Sequence, residues 1–280
     1  VAKMCEVLGV SRSGYYAWIK RPESQQKQRR ETLKKQIKKI HIESRETYGS
    51  PKITKILQKQ GVKVSQKTVA RIMKDDDIRS KTKKKYKATT NSKHHLPVYP
   101  NLLHQQFEVD KPNKVWVADI TYIWTKEGWL YLASVMDLFS RKIVGWYLSE
   151  RMTKELVIKA LNRAINQRKP QPGLIHHSDQ GSQYASNEYQ SILRQHGMQT
   201  SMSRKGNCYD NACAESFHSI IKKELIFHET FTTREEAKHR IFEYIECFYN
   251  SQRIHSANEY MSPMAYEKLH QHGKKQSFSE

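Results

Sequence analysis

Asp119, Asp179 and Glu215 each stand where a carboxylate needs a reason, and together they could hold divalent metal for phosphodiester chemistry. Asp119 lies in VWVADITYIWT. At a period of two, Val115, Val117, Thr121 and Ile123 share its face, and Trp116, Ala118, Ile120 and Tyr122 fill the other. Both faces are largely apolar, so the strand reads as central to a sheet. An ionised carboxylate there costs on the order of several kcal/mol unless a lysine, a hydrogen-bond network or a metal ion compensates it. A strand-end aspartate reaching water would also fit this residue alone. Asp179 closes the short apolar run of LIHHSDQGSQY, where a strand gives way to a loop at Gly181. Strand ends in mixed sheets are common ligand sites, although aspartate also favours turns for its own sake. Glu215 lies in GNCYDNACAESFHSIIKKEL, which reads as the start of a helix. Phe217, Ile220, Ile221 and Leu225 make its buried stripe. Glu215 falls opposite, beside Asn211, Ser219 and Lys222, with Ala212 and Ala214 leaving room for a close approach. Taken alone it is an ordinary exposed glutamate.

As a trio they read differently. Asp119 and Asp179 have 59 residues between them, and Asp179 and Glu215 have 35. Central strand, strand end and helix can meet at one rim of a sheet. Such a group suits two Mg²⁺ ions, with Mn²⁺ as a substitute, because these ions take oxygen ligands and keep positions open for phosphate and water. A lysine adjoining Glu215 in sequence would compete with the metals, which accounts for the small neutral residues that flank it directly, Lys222 being seven residues further on. His176 and His177 precede Asp179 but are read as structural, since Mg²⁺ avoids imidazole. Trp116 and Trp146 are read as core. Cys5, Cys208, Cys213 and Cys247 form no CxxC pair and fit no common zinc spacing, so they read as reduced cytosolic thiols.

The elements that must position the trio begin near residue 114. KVWVADITYIWT, WLYLASVMDLFS and RKIVGWYLSE read as three strands of an antiparallel meander. A helix in TKELVIKALNRAINQ, a strand in LIHHSD, a helix near 186–196, a strand at MQTSMS and the Glu215 helix follow, then a long helix near 232–250. This is an α/β core with a mixed five-stranded sheet flanked by helices. The core is assigned to 114–228 and a helical extension to 229–280.

The front of the chain is different. The formal net charge is +21, and residues 1–110 hold 26 Lys and Arg against 10 Asp and Glu. That charge implies an anionic partner, and no run approaches the ~18 apolar residues of a spanning helix. Nucleic acid is the first candidate, a membrane surface the second. Residues 1–27 read as a helical segment that opens inside an amphipathic pattern with no polar cap ahead of Val1, as a piece following another segment would. Residues 28–78 read as three helices, with Ser50 and Ser65 as caps. On the third, Val69, Ile72 and Met73 share one face and Lys67, Arg71 and Lys74 the other, as in a helix-turn-helix. Any small bundle with a solvated basic face gives the same pattern. Residues 79–113 form a basic linker in which Lys83, Lys84 and Lys85 could track phosphates. Lys205, Lys222, Lys223 and Arg253 are candidates for phosphate contact near the acids, or plain surface charges.

VWVADITYI, YLASVMDLFSRKIVGW, HHSDQGSQY, SMSRKGNCYDNACAESFHSIIKKEL and YIECFYNSQRIH resemble the DDE transposases of bacterial insertion sequences. The resemblance is to the second-reading-frame product of the "IS three" family and runs from about residue 1 to 268. It implies a ribonuclease-H-like core shared with retroviral integrases, with Asp119, Asp179 and Glu215 as its metal-binding carboxylates. Asp137 is a familiar family position but not as a metal ligand. RIHSANEYMSP departs from the pattern, which more often has leucine where Ala257 or Asn258 falls. The implied reaction is metal-dependent cleavage at the element's 3′ ends and strand transfer by the freed 3′-OH, with no covalent enzyme–DNA bond and no ATP. The implied partners are double-stranded DNA, as terminal inverted repeats and target, and a first-reading-frame product joined by frameshifting. A homo-oligomer on DNA is expected, in the bacterial cytoplasm at the nucleoid, with no membrane. The rivals are a DNA-binding regulator with an inactive core and a structure-specific nuclease of the same fold.

Overall fold

A computed structural model of the chain describes residues 1–81, 97–204 and 207–276. They form two compact units, Val1–Ser80 and Lys81–Glu280. Lys83, Lys84, Lys85 and Lys205, expected as DNA contacts, lie outside the described residues.

The first unit is all helical: α1 (Ala2–Val7), α2 (Arg12–Lys20), α3 (Gln25–Glu43), α4 (Ser50–Lys59) and α5 (Gln66–Asp75). Ser24 and Ser65 cap α3 and α5, their hydroxyls accepting the N–H groups of Lys27 and Thr68. Ser50, expected to cap α4, is already inside it; Gly49 is the N-cap and Pro51 fills the first turn, where its missing N–H costs nothing. Leu33, Ile37 and Ile40 of α3, Ile53 and Leu57 of α4, and Val69, Ile72 and Met73 of α5 are buried and form the unit's core. Lys34 and Lys38 reach Asp76 just past α5 at 2.9 and 3.2 Å, and Arg30 pairs with Asp75. These bridges hold the back of α5 to α3 and leave Lys67, Arg71 and Lys74 exposed.

The second unit is built on β1 (Val115–Thr125), β2 (Gly128–Asp137), β3 (Lys142–Ser149), β4 (Ile175–Ser178) and β5 (Gln199–Met202), in the order β3-β2-β1-β4-β5. The first three form the expected antiparallel meander; β4 joins β1 in parallel and β5 joins β4 in parallel. β1 is therefore central, as its two apolar faces required. On one face, α6 (Lys154–Arg168) and α8 (Asn187–Gln195) cover Trp116, Ala118, Ala133, Val135 and Val144 with Leu156, Ala160, Leu161, Tyr189 and Leu193. Burying this much aliphatic and aromatic side chain, at about 1.5–3 kcal/mol each, makes the sheet a rigid base. α7 (Ser182–Ala185) follows the Asp179 loop. α9 (Ala212–Glu224) meets β1 and β2, burying Ala214, Phe217, His218 and Ile221.

The long helix expected near 232–250 is two pieces. α10 (Arg234–Phe242) runs into a wide π-type turn, Glu243–Tyr249, in which the Asn250 N–H bonds the Ile245 carbonyl five residues back. The widened turn brings the Asn250 side chain to edge strand β3, where it accepts the Ile143 N–H at 2.9 Å and donates to the Ile143 carbonyl at 3.0 Å. Asp137 has a structural explanation. It is fully buried at the end of β2 and accepts the N–H groups of Asn113 and Phe139 and a guanidinium N–H of Arg168 at 2.9 Å. Arg168 also holds Glu267, which fixes α11 (Pro263–Gln276) to the core. Among the described residues, no helix is long and apolar enough to cross a membrane.

Candidate active site

The parallel register of β1 and β4 sets Val115 beside Ile175, Trp116 beside His176 and Val117 beside His177. The same offset carried forward puts Asp119 level with Asp179, one residue after β4 ends at Ser178. Asp119 is half-buried; its Oδ1 accepts the Ile120 N–H at 2.8 Å and its Oδ2 the His218 Nδ1–H at 3.0 Å. Asp179 turns its Oδ1 onto the Gly181 N–H at 2.9 Å. A Cβ on Gly181 would sit 2.9 Å from that oxygen, so any larger residue there would push the Asp179 carboxylate aside.

Glu215 sits in the first turn of α9 and is exposed. Residues of the same sequence block place that turn. Asn211 donates its amide N–H to the carbonyl of Ala118, the residue before Asp119, at 3.1 Å. Buried Asp210 accepts from Gln105, from the Arg204 backbone N–H and from the Arg204 guanidinium, each at 2.9 Å. These bonds hold its carboxyl well below the usual range.

Electrostatics link Asp119 to Glu215, and both aspartates to Tyr184. The Glu215 carboxyl is raised above its ordinary value, first by partial burial and then by the charge of Asp119. The buried Tyr184 hydroxyl is pushed well up, first by burial and also by the charges of Tyr189, Asp119 and Asp179, so both aspartates lie within electrostatic reach of one group. Among the described residues, neither Asp119 nor Glu215 has a lysine or arginine ion-pair partner. No three His, Cys, Asp or Glu side chains among the described residues close on a common point, Asp119, Asp179 and Glu215 included.

The other candidate residues separate into rim and interior. Lys222 lies seven residues after Glu215 on α9, with its ammonium 4.3 Å from the Tyr122 ring centroid. Burial lowers its pKa, while Tyr122 and Asp119 work in the opposite direction. Arg253, expected as a phosphate contact, is instead buried in an ion pair with Glu224 at 2.7 Å, because an internal carboxylate at the end of α9 claims its guanidinium. His176 bonds the Tyr189 hydroxyl, and His177 lies between the Ser201 and Ser203 hydroxyls. Burial pushes them down to about 3 and about 4, so both are neutral interior groups. Trp116 is fully buried, and half-buried Trp146 donates to Glu246. The sequence reading missed His218 and Ser134. The available signal was spacing: His218 is three residues past Glu215, on the side of α9 that must face β1.

A five-stranded mixed sheet with acids on its central strand, at the neighbouring strand end and on a crossing helix is an integrase-type core. The chain matches the integrase core domain over residues 109–208 and 215–270, and an HTH-like domain over residues 28–86. It is 52% identical over 269 residues to the insertion element IS600 uncharacterized 31 kDa protein of Shigella sonnei, covering 96% of this chain and 99% of that one. It is 43% identical over 269 residues to transposase InsF for insertion sequence IS3A of Escherichia coli K12, covering 95% and 93%. The HTLV-2 integrase catalytic core domain in complex with magnesium, a solved structure, aligns at a TM-score of 0.43 and 18% identity, over 56% of this chain and 97% of that one. The chain belongs to the insertion-sequence transposases of the IS three family. It is a DNA transposase, a polynucleotidyl transferase with an integrase core and an HTH-like domain.

Proposed function

We propose that Asp119, Asp179 and Glu215 together hold divalent cations, two Mg²⁺ ions with Mn²⁺ able to replace them. In this reading the transposase cuts the 3′ ends of its insertion sequence and joins the freed 3′-OH to a second phosphodiester. The observation that supports the reading is placement: the β1–β4 register sets Asp119 level with Asp179, and Asn211, just ahead of the α9 turn that carries Glu215, bonds the Ala118 carbonyl beside Asp119. Glu215 is raised first by partial burial and then by the Asp119 charge, an arrangement poor for stability and good for a cation. The donor set fits, being all carboxylate oxygen, with the two neighbouring histidines turned into the core.

When bound, the cations polarise the phosphodiester and stabilise the attacking and leaving oxygens. The chain's own residues supply position. Asp119 is rigid because β1 is central, and Asp179 is placed by the turn at Gly181. Glu215 is placed by the Asn211 and Asp210 anchors ahead of α9. Lys222 offers a cation to a phosphate at the rim, with Lys205 as a second candidate. Lys67, Arg71 and Lys74 of α5 enter the groove of the terminal repeats, and Lys83, Lys84 and Lys85 follow the backbone. Joining two DNA ends calls for at least two protomers, and a first-reading-frame product or a fusion with it is the further partner. The work is done in the cytoplasm, at the nucleoid.

The test is a gel assay of the full chain on duplexes carrying the element's ends, with Mg²⁺ and with Ca²⁺. Nicked and joined products with Mg²⁺ support the proposal. Binding without nicking marks a regulator, and nicking without joined products marks a nuclease. Asp119→Asn, Asp179→Asn and Glu215→Gln should each abolish cleavage and leave DNA binding intact; residual cleavage removes that residue from the site.

A further inference from the structure

We infer that His218 is a positioning residue that fixes the Asp119 carboxylate for cation binding, and that Ser134 fixes His218 in turn. The inference rests on the reading of Asp119 as a cation ligand.

His218 and Ser134 are 5% and 2% exposed, so neither can touch DNA. They form a closed bracket over three elements. Ser134 on β2 stands directly opposite Asp119 on β1 in the antiparallel register. His218 comes down from α9, with Nδ1 3.0 Å from Asp119 Oδ2 and Nε2 2.8 Å from Ser134 Oγ. A carboxylate only accepts hydrogen bonds, so Nδ1 carries the proton. Nε2 then accepts the Ser134 hydroxyl hydrogen, and that bond selects the required tautomer and ring orientation. The other carboxylate oxygen, Oδ1, is held by the Ile120 N–H at 2.8 Å. Each oxygen therefore has one fixed donor, which stops the group rotating and leaves its remaining lone pairs for a cation. Glu215 and His218 are three residues apart on α9, one exposed and one buried. A single helical turn thus delivers one candidate ligand and the clamp of another.

Serine, histidine and aspartate in this order resemble a hydrolytic triad. Burial of the Ser134 hydroxyl beneath α9 leaves it no substrate to attack, so the arrangement serves Asp119 instead.

The test is Mn²⁺ titration of the full chain by calorimetry, with melting midpoints recorded metal-free to establish folding. An asparagine amide can occupy the place of Nδ1, and a glutamine amide that of Nε2. His218→Asn should keep the donor to Asp119 and bind Mn²⁺ nearly as well as wild type. His218→Gln reaches towards Ser134, gives up Asp119, and should bind about 10–100-fold more weakly, the loss common for a residue that orients a ligand. Ser134→Ala should lie between, since the ring keeps its bond but not its orientation. Equal Mn²⁺ affinity in His218→Asn and His218→Gln, or wild-type affinity in Ser134→Ala, overturns the inference. Asp119→Asn is the control. If it abolishes Mn²⁺ binding while His218→Gln leaves it intact, only the inference falls. If it binds Mn²⁺ like wild type, the ligand reading falls and takes the inference with it.

Discussion

The Arg253 guanidinium is clamped on the Glu224 carboxylate, with Nη2 2.7 Å from Oε1 and the two side chains 7% and 9% exposed. A second contact, Nε to Oε2 at 2.9 Å, makes the pair bidentate, and the Tyr244 hydroxyl also donates to Glu224. Removing one partner strands the other charge in the interior, at a cost of about 3–5 kcal/mol. Arg253→Gln should therefore lower stability to urea by that amount and leave the DNA affinity of the folded protein unchanged. A variant of normal stability with weakened DNA binding would return this residue to the phosphate contacts.

Glu215 has the opposite energetics. Its carboxyl is held above the ordinary range, so the folded chain binds this proton more tightly than the unfolded chain. Stability is then lost as pH rises from the unfolded value through the raised folded one, and the loss is complete above it. Without metal, Glu215→Gln should melt higher than wild type near neutral pH, and the difference should vanish below about pH 4, where both forms are uncharged. Adding Mn²⁺ should raise the wild-type midpoint and not that of the variant. Melting curves across pH, with and without Mn²⁺, check both parts.

β3 and α6 meet at Gly145. A Cβ there would lie 2.3 Å from the Ala160 carbonyl oxygen and 2.7 Å from the Ala164 Cβ. Backbone cannot yield as a flexible side chain can. Gly145→Ala should cost about 1–3 kcal/mol or more through overpacking, measured by denaturant unfolding.

On α5, Lys67→Ala and Arg71→Ala should each weaken binding to the element's ends. Each should also reduce the slope of log affinity against log salt by about 1. A binding titration at several salt concentrations reads this directly. An unchanged slope would take α5 out of the groove.

Much of this architecture is legible in the residues, because its signals are local. The apolar faces of VWVADITYIWT point to a central strand, and alternation and turns mark the meander. The stripe of Val69, Ile72 and Met73 gives the inward face of α5. Less legible was whatever depends on partners distant in sequence. Arg253 looked like surface charge because Glu224 lies 29 residues earlier, on another element. The break after α10 depends on Asn250 pairing with Ile143, 107 residues away. Ile220, placed in the buried stripe of α9, is only half-buried, and His218 takes an inward place that an all-apolar stripe leaves out. A polar residue on a buried face is legible only once its acceptor is known.

β4 has four residues where β1 has eleven, and it accompanies β1 only as far as Val117. Asn211 takes the next carbonyl, that of Ala118, and among the described residues no strand pairs with that edge again until the bridge from Thr125 to Phe231. A β4 longer by two residues would carry main chain past Asp119, where Asn211 now bonds β1. The early stop of one short strand thus hands the Asp119 end of β1 from strand pairing to the start of α9, the helix that carries Glu215.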